Sequence, residues 1–151
     1  MGSEENRLTL ARLYFKKAAA DLESAKRLLE VKHYANTIFL AQQSAEKAAK
    51  AVLALKGMEI REYIVSGFLA SEVLSFVSEE WEERLKIVIR DLVSLEEHTI
   101  RPRYPIVTPA RVWDPEKGYD ENAAQDAINK STSILQTLTK LAEETLSLKR
   151  E

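Results

Sequence analysis

Proline is confined to one short stretch of this chain, and that placement constrains the fold more than any other feature. All four prolines lie between Pro102 and Pro115, inside a segment that runs from Thr99 to Gly118. Proline lacks a backbone N–H and has a fixed φ, so it is excluded from helix interiors. The segment is therefore predicted to be a loop of roughly 20 residues between two long helices, and loops of that length inside a domain are commonly functional.

Before this loop the apolar residues recur at helical spacing. A stripe with alternating steps of three and four residues predicts helix one over about 5–31, and a second stripe predicts helix two. Helix two is expected to end at Gly57, a residue suited to the left-handed conformation after a helix C-terminus. The turn near Lys32 is short, so these two helices are predicted to form an antiparallel hairpin.

The rest of the chain is also predicted to be helical. Ser66 is a candidate N-cap for a short third helix, and Ser78 is a candidate for a fourth helix that runs to about His98. Asp120 is expected to cap a fifth helix that continues to the C-terminus, and no strand pattern competes with these helices. The sequence therefore predicts an all-α, up-and-down bundle of four to five helices, as a single domain over residues 1–151.

Composition limits the functional classes. The 151 residues are 45% hydrophobic, which suffices for one core, and none of them is cysteine. The formal net charge of −2 creates no field that would attract bulk DNA. No apolar run approaches the roughly 18 residues of a membrane span. We therefore expect a soluble cytoplasmic protein, with no cofactor and with no metal site at its two isolated histidines.

Helix two carries a dense set of polar side chains. Three pairs with a spacing of four residues share one side of the helix, namely Gln42 and Glu46, Gln43 and Lys47, and Glu46 and Lys50. On composition alone, the simplest interpretation is a solvated face with weak ion pairs. The motifs that accompany this helix favour a more specific interpretation.

Four short motifs follow one another along the chain. They are Asp21-Leu22-Glu23-Ser24-Ala25, Gln42-Gln43-Ser44-Ala45-Glu46-Lys47, Arg103-Tyr104-Pro105 and Tyr119-Asp120-Glu121. In this order they resemble the motifs of HEPN domains (higher eukaryotes and prokaryotes nucleotide-binding). The resemblance covers roughly residues 10–145.

This resemblance implies a helical bundle that is similar to the substrate-binding domain of aminoglycoside nucleotidyltransferases and is commonly a homodimer. Some members bind nucleotides, and many are encoded beside a minimal nucleotidyltransferase. Others are metal-independent endoribonucleases, including toxins of toxin–antitoxin pairs. Because one fold serves several functions, the function has to be inferred from the site residues.

The ribonuclease branch carries an arginine and a histidine separated by four to six residues. In this chain the nearest approach is Arg90 and His98, with seven residues between them. On a helix this spacing separates the two by about 12 Å of rise and about 80° of rotation. The acidic Glu96 and Glu97 are also expected to repel a phosphate. Arg90 and His98 are thus catalytic candidates that depart from the family pattern, and His33 is expected to be a solvated turn residue.

The proline loop offers a second set of candidates. Cations there would bind a phosphate, and an aromatic ring would stack on a base. The proposed ligand-binding residues are Arg101, Arg103, Tyr104, Lys47 and Gln43. The structural alternative is an ion pair between Glu46 and Arg103 that fastens the loop to helix two. Both roles can coexist, since a fastened loop still presents Arg101.

We therefore predict a binding module without activity of its own, which presents a nucleotide or other small substrate to a separately encoded minimal nucleotidyltransferase. Two alternatives remain open, a metal-independent endoribonuclease toxin and a purely structural dimeric interaction protein. A homodimer held through helix faces is expected, because Leu10, Leu13 and Tyr14 add apolar groups beside the main stripe of helix one.

Overall fold

The computed structural model describes residues 2–148 and is built from helices. The helices are α1 (Glu4–Glu30), α2 (Tyr34–Leu55), α3 (Ser66–Glu72), α4 (Glu79–Glu96), α5 (Pro115–Gly118) and α6 (Glu121–Thr145), and a 3-10 turn covers Leu74–Phe76. Two strands of two residues each, β1 (Ile106–Val107) and β2 (Val112–Trp113), lie inside the proline loop. The predicted all-α bundle is confirmed. Within residues 2–148, no helix combines the length and apolarity that crossing a membrane requires.

The expected antiparallel hairpin of α1 and α2 is present. Its turn places Lys32 in the left-handed region, with a φ of 64°. The buried hydroxyl of Ser44 donates to the carbonyl of Ala18 at 2.7 Å, a contact that requires the two alanine-rich backbones to lie close together. Gly57 has a φ of 86° just after α2, which confirms the predicted helix end.

The last helix packs against α2 and α4 and completes the core. Asp120 caps it by accepting from the N–H of Ala123 at 2.8 Å, as predicted. Ser131 of α6 donates to the carbonyl of Ala41 on α2 at 2.7 Å. The helix ends at Thr145, earlier than expected, and residues 149–151 lie outside the described residues. Fully buried aliphatic side chains fill the core, among them Ile38, Leu53, Leu85, Leu92, Ile134 and Leu138.

The start of α3 corrects the predicted cap. Ser66 is the first residue of the helix rather than its N-cap, and the capping acceptor comes from the end of α4. The carboxylate of Glu96 accepts from the backbone N–H of Val65 at 2.6 Å and of Ser66 at 3.1 Å, and from the Ser66 hydroxyl at 2.5 Å. This tertiary cap ties the segment before α3 to the end of α4.

The proline loop is more regular than expected, which corrects the prediction of no strand. Its strands pair antiparallel, with Ile106 opposite Trp113, and the α5 turn then leads into α6. Asp114 caps that turn by accepting from the N–H of Glu116, and Pro115 occupies its first position. Strands of two residues leave no alternating pattern in a sequence, so they could not be predicted from periodicity.

Candidate functional site

Aromatic rings from the loop and from the start of α6 form the base of the candidate site. The β1–β2 hairpin returns Trp113 to the ring of Tyr119, with centroids 5.7 Å apart and planes at 90°. Tyr119 also meets His98 edge to face, with centroids 5.4 Å apart. Gly118 allows this packing, since a Cβ there would overlap the Trp113 ring. The rings therefore hold His98 against the start of the last helix.

His98 and Tyr119 also form a hydrogen bond. The Nδ1 atom of His98 lies 2.9 Å from the Tyr119 hydroxyl oxygen, and the imidazole is half-buried just after the end of α4. This bond fixes the orientation of the ring and leaves Nε2 as the second nitrogen for chemistry. Sequence reasoning had named His98 but not Tyr119 as its partner, although Tyr119 belongs to one of the four motifs.

The surroundings keep both members of this pair uncharged near neutral pH. Burial is the main cause that lowers the pKa of His98 below its ordinary value; the Glu97 carboxylate acts in the opposite direction. The positive charges of Arg101 and Lys130 reinforce the lowering. Burial raises the pKa of Tyr119, and the charge of Arg101 opposes that rise. His98 is thus a neutral imidazole, the form that accepts protons.

Arg101 is the cation that the structure places at this pair. Its guanidinium lies over the indole of Trp113, 5.4 Å from the ring centroid, and the side chain is exposed. Arg111 lies at the same ring, 6.0 Å away. Within residues 2–148 no carboxylate forms an ion pair with Arg101, so its fork of N–H groups is available to a phosphate.

The predicted ion pair between Glu46 and Arg103 is wrong. Arg103 donates from Nε to the carbonyl of Thr99 at 2.9 Å and lies over two rings, at 4.7 Å from Phe39 and 5.4 Å from Tyr104. Phe39 belongs to α2, so the loop is fastened to that helix by a cation–π contact in place of a salt bridge. Tyr104 is exposed and its ring lies against the guanidinium of Arg103, so the two predicted ligand residues are in contact with each other.

Glu46 has other partners because it is buried in the bundle. A chain of polar contacts runs from α1 along α2. It comprises Lys47 to Asp21 at 2.6 Å, Lys47 to Gln43 at 3.2 Å, Gln43 to Gln42 at 2.8 Å, Gln42 to Glu46 at 3.2 Å, and Lys50 to Glu46 at 3.2 Å. The predicted ligand residues Lys47 and Gln43 are therefore engaged within this polar chain, and their polar groups already have partners in the bundle.

The structure does not bring the catalytic candidates Arg90 and His98 together. Arg90 points to solvent with a side chain 72% exposed, and its guanidinium contacts the neighbouring Asp91 at 3.1 Å. His98 instead faces Tyr119, and Arg101 is the arginine whose charge acts on it. The reason is geometric, since the helix ends at Glu96 and the chain turns before His98. The spacing of His98 and Arg101, three residues apart across that turn, was the signal that sequence reasoning missed.

A cleft lies at the same turn. It has a volume of ≈ 700 Å³ and is lined by Glu62, Tyr63, Ile64, Glu96, Glu97, Thr99, Ile100 and Arg101. Arg101 thus belongs to the cleft and to the His98 cluster. In the part of the chain that the structure describes, no three histidine, aspartate or glutamate side chains come together in a way that could hold a metal ion.

Comparison with known proteins assigns the class of this helical bundle. The model of the family described as HEPN domain matches residues 11–142. A protein of Methanocaldococcus jannaschii named "Putative toxin MJ1304" is 35% identical over 141 residues, which cover 93% of each chain. The chain therefore belongs to the HEPN family, as its motifs predicted.

Two crystal structures share the fold. The protein TT1696 from Thermus thermophilus superposes with a TM-score of 0.65 at 27% identity, over 86% of this chain and 96% of that one. ST0689, described as an archaeal HEPN homologue, superposes with a TM-score of 0.67 at 27% identity, over 86% and 95% of the two chains. The similarity covers most of the chain, so the bundle described above is the HEPN fold.

Proposed function

We propose that this HEPN domain is the toxin of a toxin–antitoxin pair and that it cleaves RNA without a metal ion at His98. The observation that carries the proposal is the His98–Tyr119 hydrogen bond of 2.9 Å beside Arg101, a cation without a carboxylate partner in residues 2–148. The relative named as a toxin, at 35% identity, supports the choice of this branch of the family.

The chemistry follows from the tautomer of His98. When Nδ1–H donates to the oxygen of Tyr119, the lone pair of Nε2 is free to accept the proton of a ribose 2′-OH. The 2′-oxygen then attacks the adjacent phosphorus, and the bond from phosphorus to the 5′-oxygen breaks. The imidazolium returns its proton to that leaving oxygen. Arg101 stabilises the charge that develops on the non-bridging oxygens.

The test is cleavage of end-labelled RNA in the presence of a chelator. We expect His98→Ala to lower the cleavage rate by about 10²- to 10⁴-fold, the usual contribution of a general base. Arg101→Ala should lower it by about 10²- to 10³-fold. The matched control is His33→Ala, because His33 is the other histidine of the chain and lies exposed at the start of α2. Cleavage that survives the loss of His98 would refute the proposal.

A second candidate is the predicted presentation of a nucleotide to a separately encoded minimal nucleotidyltransferase. The observation that favours it is the exposed Arg101 on the Trp113 ring, which suits the phosphate of a mononucleotide as well as that of RNA. Calorimetric titration with ATP and GTP, with Arg101→Ala as the control, tests this function. Salt-sensitive nucleotide binding by a protein that does not cleave RNA would favour it over the toxin.

The expected homodimer stays a prediction with a narrower basis. Leu10 and Tyr14 are partly buried against Ala51 and Ala54 of α2, whereas Leu13 is 57% exposed. Leu13 is therefore the residue of that group that a second copy would cover. Light scattering at tens of micromolar should give the mass of a dimer, and Leu13→Asp should shift it toward the monomer. A monomer for the unmodified protein would favour a different interface or none.

A further inference from the structure

We propose that the cleft beside His98 binds the guanine base of the ligand whose phosphate binds Arg101. This inference rests on the proposed function, because it specifies which nucleotide the site accepts. It makes the domain selective for guanine, both in a mononucleotide and in a single-stranded RNA. The basis is the volume of the cleft, the residues that line it, and a carboxylate there that has no hydrogen bond or ion pair with another side chain of residues 2–148.

The position of Arg101 connects the two halves of the site. The guanidinium lies over the ring of Trp113, and its positive charge contributes to the lowered pKa of His98. The same side chain lines the cleft. A phosphate held by Arg101 would therefore be bound by a side chain that both lines the cleft and belongs to the His98 cluster. The cleft volume of ≈ 700 Å³ lies within the range of about 300 to 1,000 Å³ that is usual for small-molecule sites.

The walls of the cleft suit an aromatic base. Tyr63 and Ile64, each 63% exposed, and Ile100, 59% exposed, line the cleft. Exposed aromatic and apolar side chains in a cleft favour stacking of a flat ring, which is tolerant of the base's identity. The Tyr63 wall is held in place, because Glu96 bonds the following residues, Val65 and Ser66, to the end of α4. The cleft is thus preformed, and Glu96 is already satisfied.

Glu97 supplies the selectivity. It lines the cleft, and no hydrogen bond or ion pair with another side chain in residues 2–148 engages its carboxylate. An ionised carboxylate only accepts hydrogen bonds, so it prefers a base edge with two adjacent donors. Guanine presents N1–H beside its N2 amine. Adenine and cytosine place a ring acceptor next to their amine, and uracil flanks its single N–H with two carbonyls, so each of these meets repulsion.

Nucleotide titrations followed by NMR test the inference with the intact domain. We expect guanosine 5′-monophosphate to bind about 5- to 100-fold more tightly than adenosine 5′-monophosphate, the range of one good bidentate contact. Glu97→Gln should reduce this preference to less than about twofold, since an amide offers one acceptor and adds donors. Glu83→Gln is the matched control, because Glu83 is an exposed glutamate on α4, the helix that ends just before Glu97, and does not line the cleft.

Two simpler probes separate the base from the phosphate. Guanosine should shift the resonances of Tyr63, Ile64 and Ile100, whereas inorganic phosphate should shift those of His98 and Arg101. Tyr63→Ala should weaken guanosine binding and leave the phosphate response unchanged.

The outcomes distinguish this inference from the proposed function. RNA cleavage that depends on His98 but shows no guanine preference, or a preference that survives Glu97→Gln, overturns the guanine cleft and leaves the ribonuclease standing. A guanine preference that Glu97→Gln removes, in a protein that cleaves no RNA, supports the cleft and refutes the ribonuclease. Cleft resonances that respond to protein concentration and not to guanosine would assign the cleft to a second copy and overturn the proposal.

Discussion

Two regions of this domain contain closely spaced cations, and the cations have different partners in the two regions. Between α1 and α2, Lys47 contacts Asp21 at 2.6 Å and Lys50 contacts Glu46 at 3.2 Å, all with mostly buried side chains. In the proline loop, exposed arginines lie on aromatic rings instead. In the first region the cations form ion pairs inside the bundle, whereas in the second the guanidinium of Arg101 stays available to an external anion.

Solvent explains the difference. A carboxylate removed from water needs a cation and hydrogen bonds, so the buried Glu46 must be paired inside the bundle. An arginine at the surface keeps its hydration and needs no carboxylate, and an aromatic ring suffices to orient it. The polar residues of the family motif on α2 therefore find their partners inside the bundle, whereas Arg101 in the loop has no carboxylate partner within residues 2–148.

The largest expected effect breaks the buried region. Glu46→Ala leaves Lys50 with a side chain only 10% exposed and no carboxylate, and it removes the acceptor of Gln42. We expect the free energy of unfolding to fall by about 3 to 5 kcal/mol, measured by urea denaturation. Glu23→Ala is the control, because its pair with Arg27 is exposed on α1 and should contribute about 1 kcal/mol or less. Equal losses for the two variants would contradict the comparison.

A smaller effect is expected from crowding the loop cluster. In Gly118→Ala the new Cβ would overlap the Trp113 ring, so the indole has to move away from Tyr119. We expect a loss of about 1 to 3 kcal/mol and a change in tryptophan fluorescence. Gly67→Ala is the control, since nothing lies within 4 Å of a Cβ at that helical position. An unchanged emission spectrum for Gly118→Ala would show that Trp113 is not held as described.

The fastening of the loop is expected to be weaker still. Arg103→Ala removes the contacts with Phe39 and Thr99 and should cost about 1 kcal/mol, as is usual for one exposed cation–π contact with one hydrogen bond. Arg103→Lys keeps the charge but loses the planar stack, so it should recover only part of the loss. Thermal melts measure both variants. If Arg103→Ala lowered the free energy of unfolding as much as Glu46→Ala does, the result would favour the Glu46–Arg103 ion pair over the cation–π contact.

The smallest effect is a pH dependence at His98. Because burial lowers its pKa in the folded state below the ordinary 6.5, the unfolded chain binds a proton that the native state does not. The neutral ring therefore makes its full contribution to the free energy of unfolding above pH 6.5. That contribution decreases as the pH falls from 6.5 to below the pKa of His98 in the folded protein. The difference in free energy of unfolding between His98→Gln and the unmodified protein should therefore be smaller at acidic pH than at neutral pH, because only the unmodified protein loses this contribution. Melts of His33→Gln over the same range are the control.

Local patterns predicted the helices well, because their causes are local. The apolar stripe of α2 and Gly57 after it, with a φ of 86°, follow from helical periodicity and from the conformational freedom of glycine. Asp120 caps α6 as predicted, because a cap is a contact between neighbours in the chain. Ser66 was misassigned, since the acceptor at α3 is Glu96, 30 residues away.

The site was predicted only in part for the same reason. The confinement of proline to one segment directed attention to Arg101, and the arginine–histidine motif of the ribonuclease branch directed it to His98; both belong to the observed cluster. The predicted ion pair of Arg103 with Glu46 was wrong because it was inferred from charge alone. The sequence did not show that the ring of Phe39 would lie beneath the guanidinium. The spacing of Arg90 and His98 already argued against a shared site, but the place of His98 could not be predicted from helical geometry, because α4 ends at Glu96.

The sequence by itself determined the fold class, the family and the segment that holds Arg101 of the candidate site, because periodicity, proline placement and ordered motifs are properties of neighbouring residues. Only the tertiary structure decided which charged side chains form internal ion pairs and which stay available to a ligand. Lys47 meets Asp21 across 26 positions of the chain, and His98 meets Tyr119 across 21. Such contacts depend on how helices pack and on which side chains lose their water, and neither quantity is encoded in local spacing.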